Sequence, residues 1–212
     1  MRLTIVGASG RIGTELVRQA SAAGHRVTAV VRTSSTVAPF VASVRVVRVA
    51  AVTNAEALVP ALFGSEIVLS ALGARTPTDA GLVAPMTRSL LRAMDQGGVG
   101  RILTVSAALV GTPQPADPML ARKVMWPVMA QFLRAVVDDL REMEDHLAAS
   151  PHDWTSFRPP RLVNRDVSGK YRTTIGANVP RGLVISRADV AHAMLAMAAD
   201  RRSFGQAVGV AW

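Results

Sequence analysis

Short apolar runs alternate along the chain with segments whose apolar residues recur at helical spacing, the pattern of repeated βαβ units. Residues 3–6, 27–31, 44–49, 67–71, 101–106 and 154–158 read as strands, most of them near-continuous apolar runs of the kind buried on both faces of a parallel sheet. Between them, residues 11–23 read as a helix with Leu16, Val17 and Ala20 on its apolar face and Gly24 as its stop. A short helix capped by Asn54 ends near Phe63-Gly64, another spans 83–96 ahead of Gly97-Gly98, and a third, at 188–199, follows Ser186 as cap. The stretch 119–147 also has helical character, but Pro127 has no amide to donate and is expected to divide or kink it. Short strands at 171–175 and 207–210 complete the pattern. The prediction is one α/β domain over residues 1–212, a doubly wound, mostly parallel sheet with helices on both faces and small substrate-side elements at about 159–187.

Composition narrows what such a domain does. Half of the residues are apolar, yet none of the runs approaches the roughly 18 residues a membrane span needs, and the chain enters a strand at once. A cytoplasmic protein with no membrane partner is expected. The chain has no cysteine, so thiol nucleophiles, disulfides and thiolate metal sites drop out. The net charge of +9 is spread over single arginines and pairs, with only Lys123 and Lys170 as lysines, and forms no basic run with interleaved aromatics; no nucleic-acid partner is expected. His25, His146, His152 and His192 stand apart from one another and from acids in metal-ligand spacing, so no metal site is expected.

The strongest motif is Gly7-Ala8-Ser9-Gly10-Arg11-Ile12-Gly13, a GxxGxxG run between the first strand and the first helix. Glycines permit a tight turn and close backbone approach, and the amides and dipole of the helix N-terminus favour a pyrophosphate. This is the dinucleotide-binding turn of a Rossmann-type fold. At the end of the second strand, where that fold usually carries an acid for the adenine ribose, stands Arg32, and no Asp or Glu occurs between Glu15 and Glu56. A guanidinium suits a 2′-phosphate, with Thr33, Ser34 and Ser35 offering hydroxyls beside it, so NADPH is expected as cofactor. NADH stays open, because Arg32 read as an ordinary solvated arginine carries no preference.

The segments GASGRIG, GHRVTAVVR, SALG, VSA, DWTSFRPPRL and ISRADVAHAML, in this order over nearly the whole chain, resemble the atypical short-chain dehydrogenase/reductases of the NAD(P)H-binding, NmrA-like group. Within it the sequence looks most similar to the NADPH-dependent flavin reductases, the branch that includes biliverdin-IX beta reductase. The resemblance implies that Gly7, Ser9, Gly10, Arg11, Ile12 and Gly13 hold the pyrophosphate and that Arg32 meets the 2′-phosphate. It further implies that Leu72, Gly73 and Arg75 line the cofactor, that Ser106 and Ala107 sit beside the nicotinamide, and that the turn Pro159, Pro160, Arg161 closes over it. Two positions depart from the family. Arg161 stands where the biliverdin reductase has histidine, and Ala51-Val52 replaces a frequent Asp-Val near the adenine.

Carbonyl-reducing dehydrogenases of the short-chain class use a Tyr-x-x-x-Lys pair as proton donor. Here the only tyrosine is Tyr171, and Met119 stands four residues before Lys123. A planar acceptor such as a flavin or quinone fits better, since the protein then mainly holds two rings together for hydride transfer. Ser106, as a hydrogen-bond donor, and Arg161, as a stabiliser of a reduced anionic ring, are the catalytic candidates; Ser106 reads equally as a structural hydroxyl at a strand end. Two other functions remain open: a non-catalytic NmrA-like redox sensor, and a reductase or isomerase of a specialised metabolite. Met119, Met125, Trp126, Met129 and Phe132 are expected to pack in the core, with an acceptor pocket or dimer contact as the alternative. Asp138, Asp139, Glu142, Glu144 and Asp145, with Arg134 and Arg141, are expected to form a solvated helix face. A monomer or homodimer acting on a small-molecule planar acceptor is the resulting expectation.

Overall fold

Eight strands lie in one sheet in the order β3-β2-β1-β4-β5-β6-β10-β8. In the computed structural model, which describes residues 1–35, 40–74 and 79–212, these are β1 (Arg2–Val6), β2 (Arg26–Arg32), β3 (Arg45–Val49), β4 (Ile67–Ser70), β5 (Arg101–Val105), β6 (Asp153–Arg158), β8 (Arg172–Ile175) and β10 (Gln206–Ala211). Every neighbouring pair runs parallel except β10 with β8. The strand order reverses between β1 and β4, and this switch point opens the crevice in which doubly wound sheets bind their ligands.

The helices are α1 (Arg11–Ala22), α2 (Ala55–Leu62), α3 (Val83–Gly97), α4 (Trp126–Phe132), α5 (Arg134–Ala148) and α6 (Arg187–Ala196). One apolar layer joins α1 and α6 to the sheet through Leu16, Val17, Val190 and Met194; the other joins α2, α3 and α5 through Leu58, Leu90, Met94, Leu140 and Met143. Burying both faces explains why β1, β4 and β5 are apolar almost throughout. The architecture is the Rossmann-type α/β domain expected from the alternation of runs.

Two strands were not legible as such: β7 (Arg161–Val163) and β9 (Val184–Ser186) form a small parallel pair of their own. At three residues each they are too short to display a period. The stretch with Pro127 is divided, as expected, and at two points. Pro127 occupies the first turn of α4, behind a π-helical turn at Ala121–Met125, where a missing amide is tolerated, and the boundary with α5 falls at Leu133.

Two further expectations are corrected. Phe132 is 83% exposed and Met119, Met125 and Met129 are exposed too, so these side chains are not core. In the charged helix α5, Asp139 and Glu144 are buried. Asp139 accepts hydrogen bonds from the amides of Gly81, Val83 and Ala84 at 2.9, 3.0 and 2.9 Å and so caps α3 from outside it. Glu144 receives Ser156 Oγ at 2.8 Å and is paired with the Arg158 guanidinium.

Candidate functional site

A cleft of about 740 Å³ lies over the ends of β1, β2, β4 and β5 at the switch point. Its floor is the turn from β1 to α1. Gly7 has φ +78°, and a Cβ there would stand 2.8 Å from the Ala71 carbonyl oxygen; one on Gly13 would stand 2.2 Å from that of Gly7. The glycines therefore let the turn press against β4 and let α1 press onto the turn. Gly10, the N-cap of α1, has no side chain to cap it, and Gly10, Arg11 and Ile12 line the cleft, so the first amides and the positive dipole end face its interior.

At one rim, Arg32 at the end of β2 lines the cleft beside a small group of hydroxyls and cations. The Ser35 amide donates to the Arg32 carbonyl at 2.9 Å, Ser9 Oγ donates to Ser35 Oγ at 3.3 Å, and Arg48 Nη1 donates to the Ser35 carbonyl at 3.4 Å. Val52 lines the cleft next to Ala51, so no carboxylate enters from that loop. Leu72 and Gly73 continue the wall, and among the described residues no atom stands within 4 Å of where a Cβ of Gly73 would be. Arg75 lies outside the described residues.

At the other end, the backbone leaving β5 is held to the end of β6. The Ser106 amide donates to the Phe157 carbonyl at 2.7 Å, and the Ala108 amide donates to that of Pro159 at 2.8 Å. Ser106 and Ala107 thereby line the cleft. The Ser106 hydroxyl is buried and, among the described residues, without a hydrogen-bond partner, a costly state that a ligand atom would relieve.

Arg187, the first residue of α6, also lines the cleft, though reading the sequence assigned it no role. Its Nη1 donates to Asn164 Oδ1 at 2.7 Å. Burial, and then the charge of nearby Arg11, lower its pKa below the ordinary arginine value. Neither guanidinium is paired with a carboxylate among the described residues, and the two cations converge on the mouth of the glycine turn in a cleft that the Asp79 carboxylate also lines. Only the packing of α6 along α1 creates this arrangement; the nearest signal in the sequence was the ISRADV segment that contains it.

Pro159, Pro160 and Arg161 do not line this cleft. They line an adjoining pocket of about 390 Å³ that meets the cleft at Ala107. Its walls are largely apolar, among them Leu109, Met125, Trp126, Met129 and Leu183. Asn178 Nδ2 donates to the Ala108 and Thr112 carbonyls at 3.0 and 3.1 Å and holds the near wall in place. Arg158 is committed to Glu144, whereas Arg161 is exposed at the start of β7. Tyr171 lines neither space; its hydroxyl pairs with His192 Nδ1 at 2.7 Å beside α6. Among the described residues there is no cluster of three or more His, Cys, Asp or Glu suited to a metal ion.

A glycine turn at the switch point of a doubly wound sheet, facing an uncapped helix N-terminus, defines a dinucleotide-binding domain. A model of the NAD(P)H-binding family matches residues 7–201, and the chain belongs to that family. Among solved structures, a candidate exported protein of Burkholderia pseudomallei is 25% identical over 100% of both chains, with a TM-score of 0.80. A short-chain dehydrogenase/reductase of Veillonella parvula in complex with NADP is 21% identical, covering 100% of this chain and 94% of its own, with a TM-score of 0.80. A candidate NADH-flavin reductase of Streptococcus pneumoniae is 20% identical, covering 100% and 99%, with a TM-score of 0.79. The last two share the fold.

Proposed function

We propose that this protein is a cytoplasmic NADPH-dependent oxidoreductase that reduces a planar acceptor, a flavin or a quinone, in the manner of the NmrA-like flavin reductases. The observation that carries the reading is the apolar pocket meeting the cofactor cleft at Ala107, next to the Ser106 hydroxyl, which has no partner among the described residues. The residues present fit the cofactor: Gly7 and Gly13 let the turn pack tightly beneath the cleft, an uncapped helix faces it, and Arg11, Arg32 and Arg187 bring three cations to a ligand that carries three phosphates.

When bound, NADPH supplies a hydride. Gly7, Ser9, Gly10, Arg11, Ile12 and Gly13 hold its pyrophosphate, Arg32 reads its 2′-phosphate, and Leu72, Gly73 and Ala107 line it. Arg75 belongs to the same set on the resemblance alone. The apolar walls of the second pocket exclude water and hold the acceptor, and this positioning is what hydride transfer requires of the protein. Ser106 Oγ donates a hydrogen bond at the junction. Arg161, beside Pro159 and Pro160, offsets negative charge on the reduced ring, and water supplies the remaining proton.

The test is NADPH oxidation followed at 340 nm with FMN, riboflavin and a simple quinone, beside NADH. Turnover with any of these that prefers NADPH supports the reading. Tight NADP(H) binding without turnover on any acceptor replaces it with the non-catalytic sensor.

A further inference from the structure

The most unusual surface of the molecule is the arm formed by residues 118–133. Its base is pinned: Asp117 accepts the Gln114 amide at 2.7 Å and the Arg181 amide at 2.6 Å, and Arg181 is held at φ +56°. Beyond the base, α4 has no buried residue. Leu120, Val124, Val128 and Phe132, spaced by four along the arm, are 70, 50, 60 and 83% exposed. A contiguous apolar stripe of this kind on a folded domain marks an interaction surface. Met125 and Met129 lie on the same helical segment and line the acceptor pocket while remaining exposed.

Charge selects the occupant. From Pro118 to Leu133 the chain has no Asp or Glu, while Arg122 and Lys123 are present; Arg134, just beyond the arm, is paired with Asp138 at 3.4 Å, and the whole molecule carries +9. A second copy would meet this face through a self-complementary contact, setting the stripe and its cations against themselves between two molecules of like charge. A bilayer with anionic headgroups instead offers phosphates to Arg122 and Lys123 and an apolar interior to the stripe. Among the described residues no helix is long and apolar enough to cross a membrane, so the arm would lie in the interface.

We propose that residues 118–133 dock the protein on an anionic lipid surface. Docked in this way, the mouth of the pocket at Met125 and Met129 faces the bilayer, and a lipophilic quinone reaches it without crossing water. That consequence rests on the reductase reading; the docking does not.

The experiment is co-sedimentation of the full chain with vesicles of phosphatidylcholine alone and of phosphatidylcholine mixed with phosphatidylglycerol, for the wild type and the V128S/F132S double variant. The expected result is binding to the anionic vesicles that exceeds binding to the neutral ones and falls by about tenfold or more in the variant. Neither residue lines the cleft or the pocket, so unchanged NADPH affinity verifies that the variant is folded. Wild-type protein that stays in the supernatant with both vesicles overturns the proposal. So does a double variant that binds as well as the wild type, since scattered charge alone then accounts for the binding. A wild-type dimer in light scattering that the variant converts to monomer assigns the stripe to a second copy and overturns it too. NADPH oxidation with a long-chain naphthoquinone carried in the vesicles, compared with FMN in solution, is read separately. Vesicle binding without turnover of either acceptor overturns the reductase reading and leaves the docking supported.

Discussion

Asp139 offers a stringent test of how the cleft is held. Its carboxylate is the N-terminal cap of α3, supplied from α5, because Leu82 at the cap position of α3 has no side chain able to accept. Asp139→Ala removes the acceptor for three amides in a site where the replaced side chain is only 5% exposed. Each hydrogen bond to a charged group is worth about 1.5–3 kcal/mol, and the three share one carboxylate, so a combined loss of about 3–5 kcal/mol is expected. For a chain of this size that lowers the melting temperature by roughly 6–20 °C. The consequence extends to function, since Leu82 and Met86 at the start of α3 and Leu140 on α5 line the cleft, and the variant is expected to bind NADP(H) more weakly as well. Urea denaturation of the wild type, Asp139→Ala and Asp139→Asn gives the ordering, with the asparagine intermediate because it keeps one acceptor oxygen. A loss below about 1 kcal/mol for the alanine variant would refute the cap as the element that ties α3 to α5.

Arg32→Ala is expected to weaken NADPH binding about tenfold to a hundredfold while leaving NADH unchanged, as measured by nucleotide fluorescence; equal losses for both would remove Arg32 as the 2′-phosphate reader. Arg187→Gln should weaken both cofactors alike, by about tenfold, and flatten the salt dependence of binding, because the pyrophosphate is common to both; an unchanged Kd would show that its approach to the cleft has no bearing on binding. Asp189 provides a pH signature. Burial pushes its carboxyl up, but hydrogen bonds from Trp212, the Gly169 amide and Ser168 outweigh this and leave its pKa below the ordinary value. Its stabilising contribution is therefore complete above the ordinary carboxylate pKa of about 3.9 and is lost as pH falls through the lowered value. Urea midpoints of the wild type and Asp189→Asn should differ by a constant amount near neutrality and converge in acid, and a gap that persists unchanged into acid contradicts the network.

The features that the sequence by itself determined are those whose cause is local. A glycine turn between an apolar run and an amphipathic helix has few conformations open to it, so the floor of the cleft was legible before any packing was known. Arg32 was legible because the end of β2 lies at a set distance from that turn in any βαβ unit, and Ser106 because β5 was marked by its own apolar run. Tertiary structure alone decided matters that depend on which distant elements meet. Asp139 and Glu144 lie along the buried stripe of α5 with Leu140, Met143 and Leu147, away from Asp138 and Asp145, but only the arrival of α3 and β6 on that side decides what their carboxylates meet, which is amides, a hydroxyl and a guanidinium. Arg187 reaches the cleft because α6 packs along α1, a contact between residues far apart in the chain. The arm at 118–133 was the most misleading segment, because an apolar composition signals burial without naming the surface that does the burying. In the folded chain the body of the domain leaves its stripe of Leu120, Val124, Val128 and Phe132 exposed.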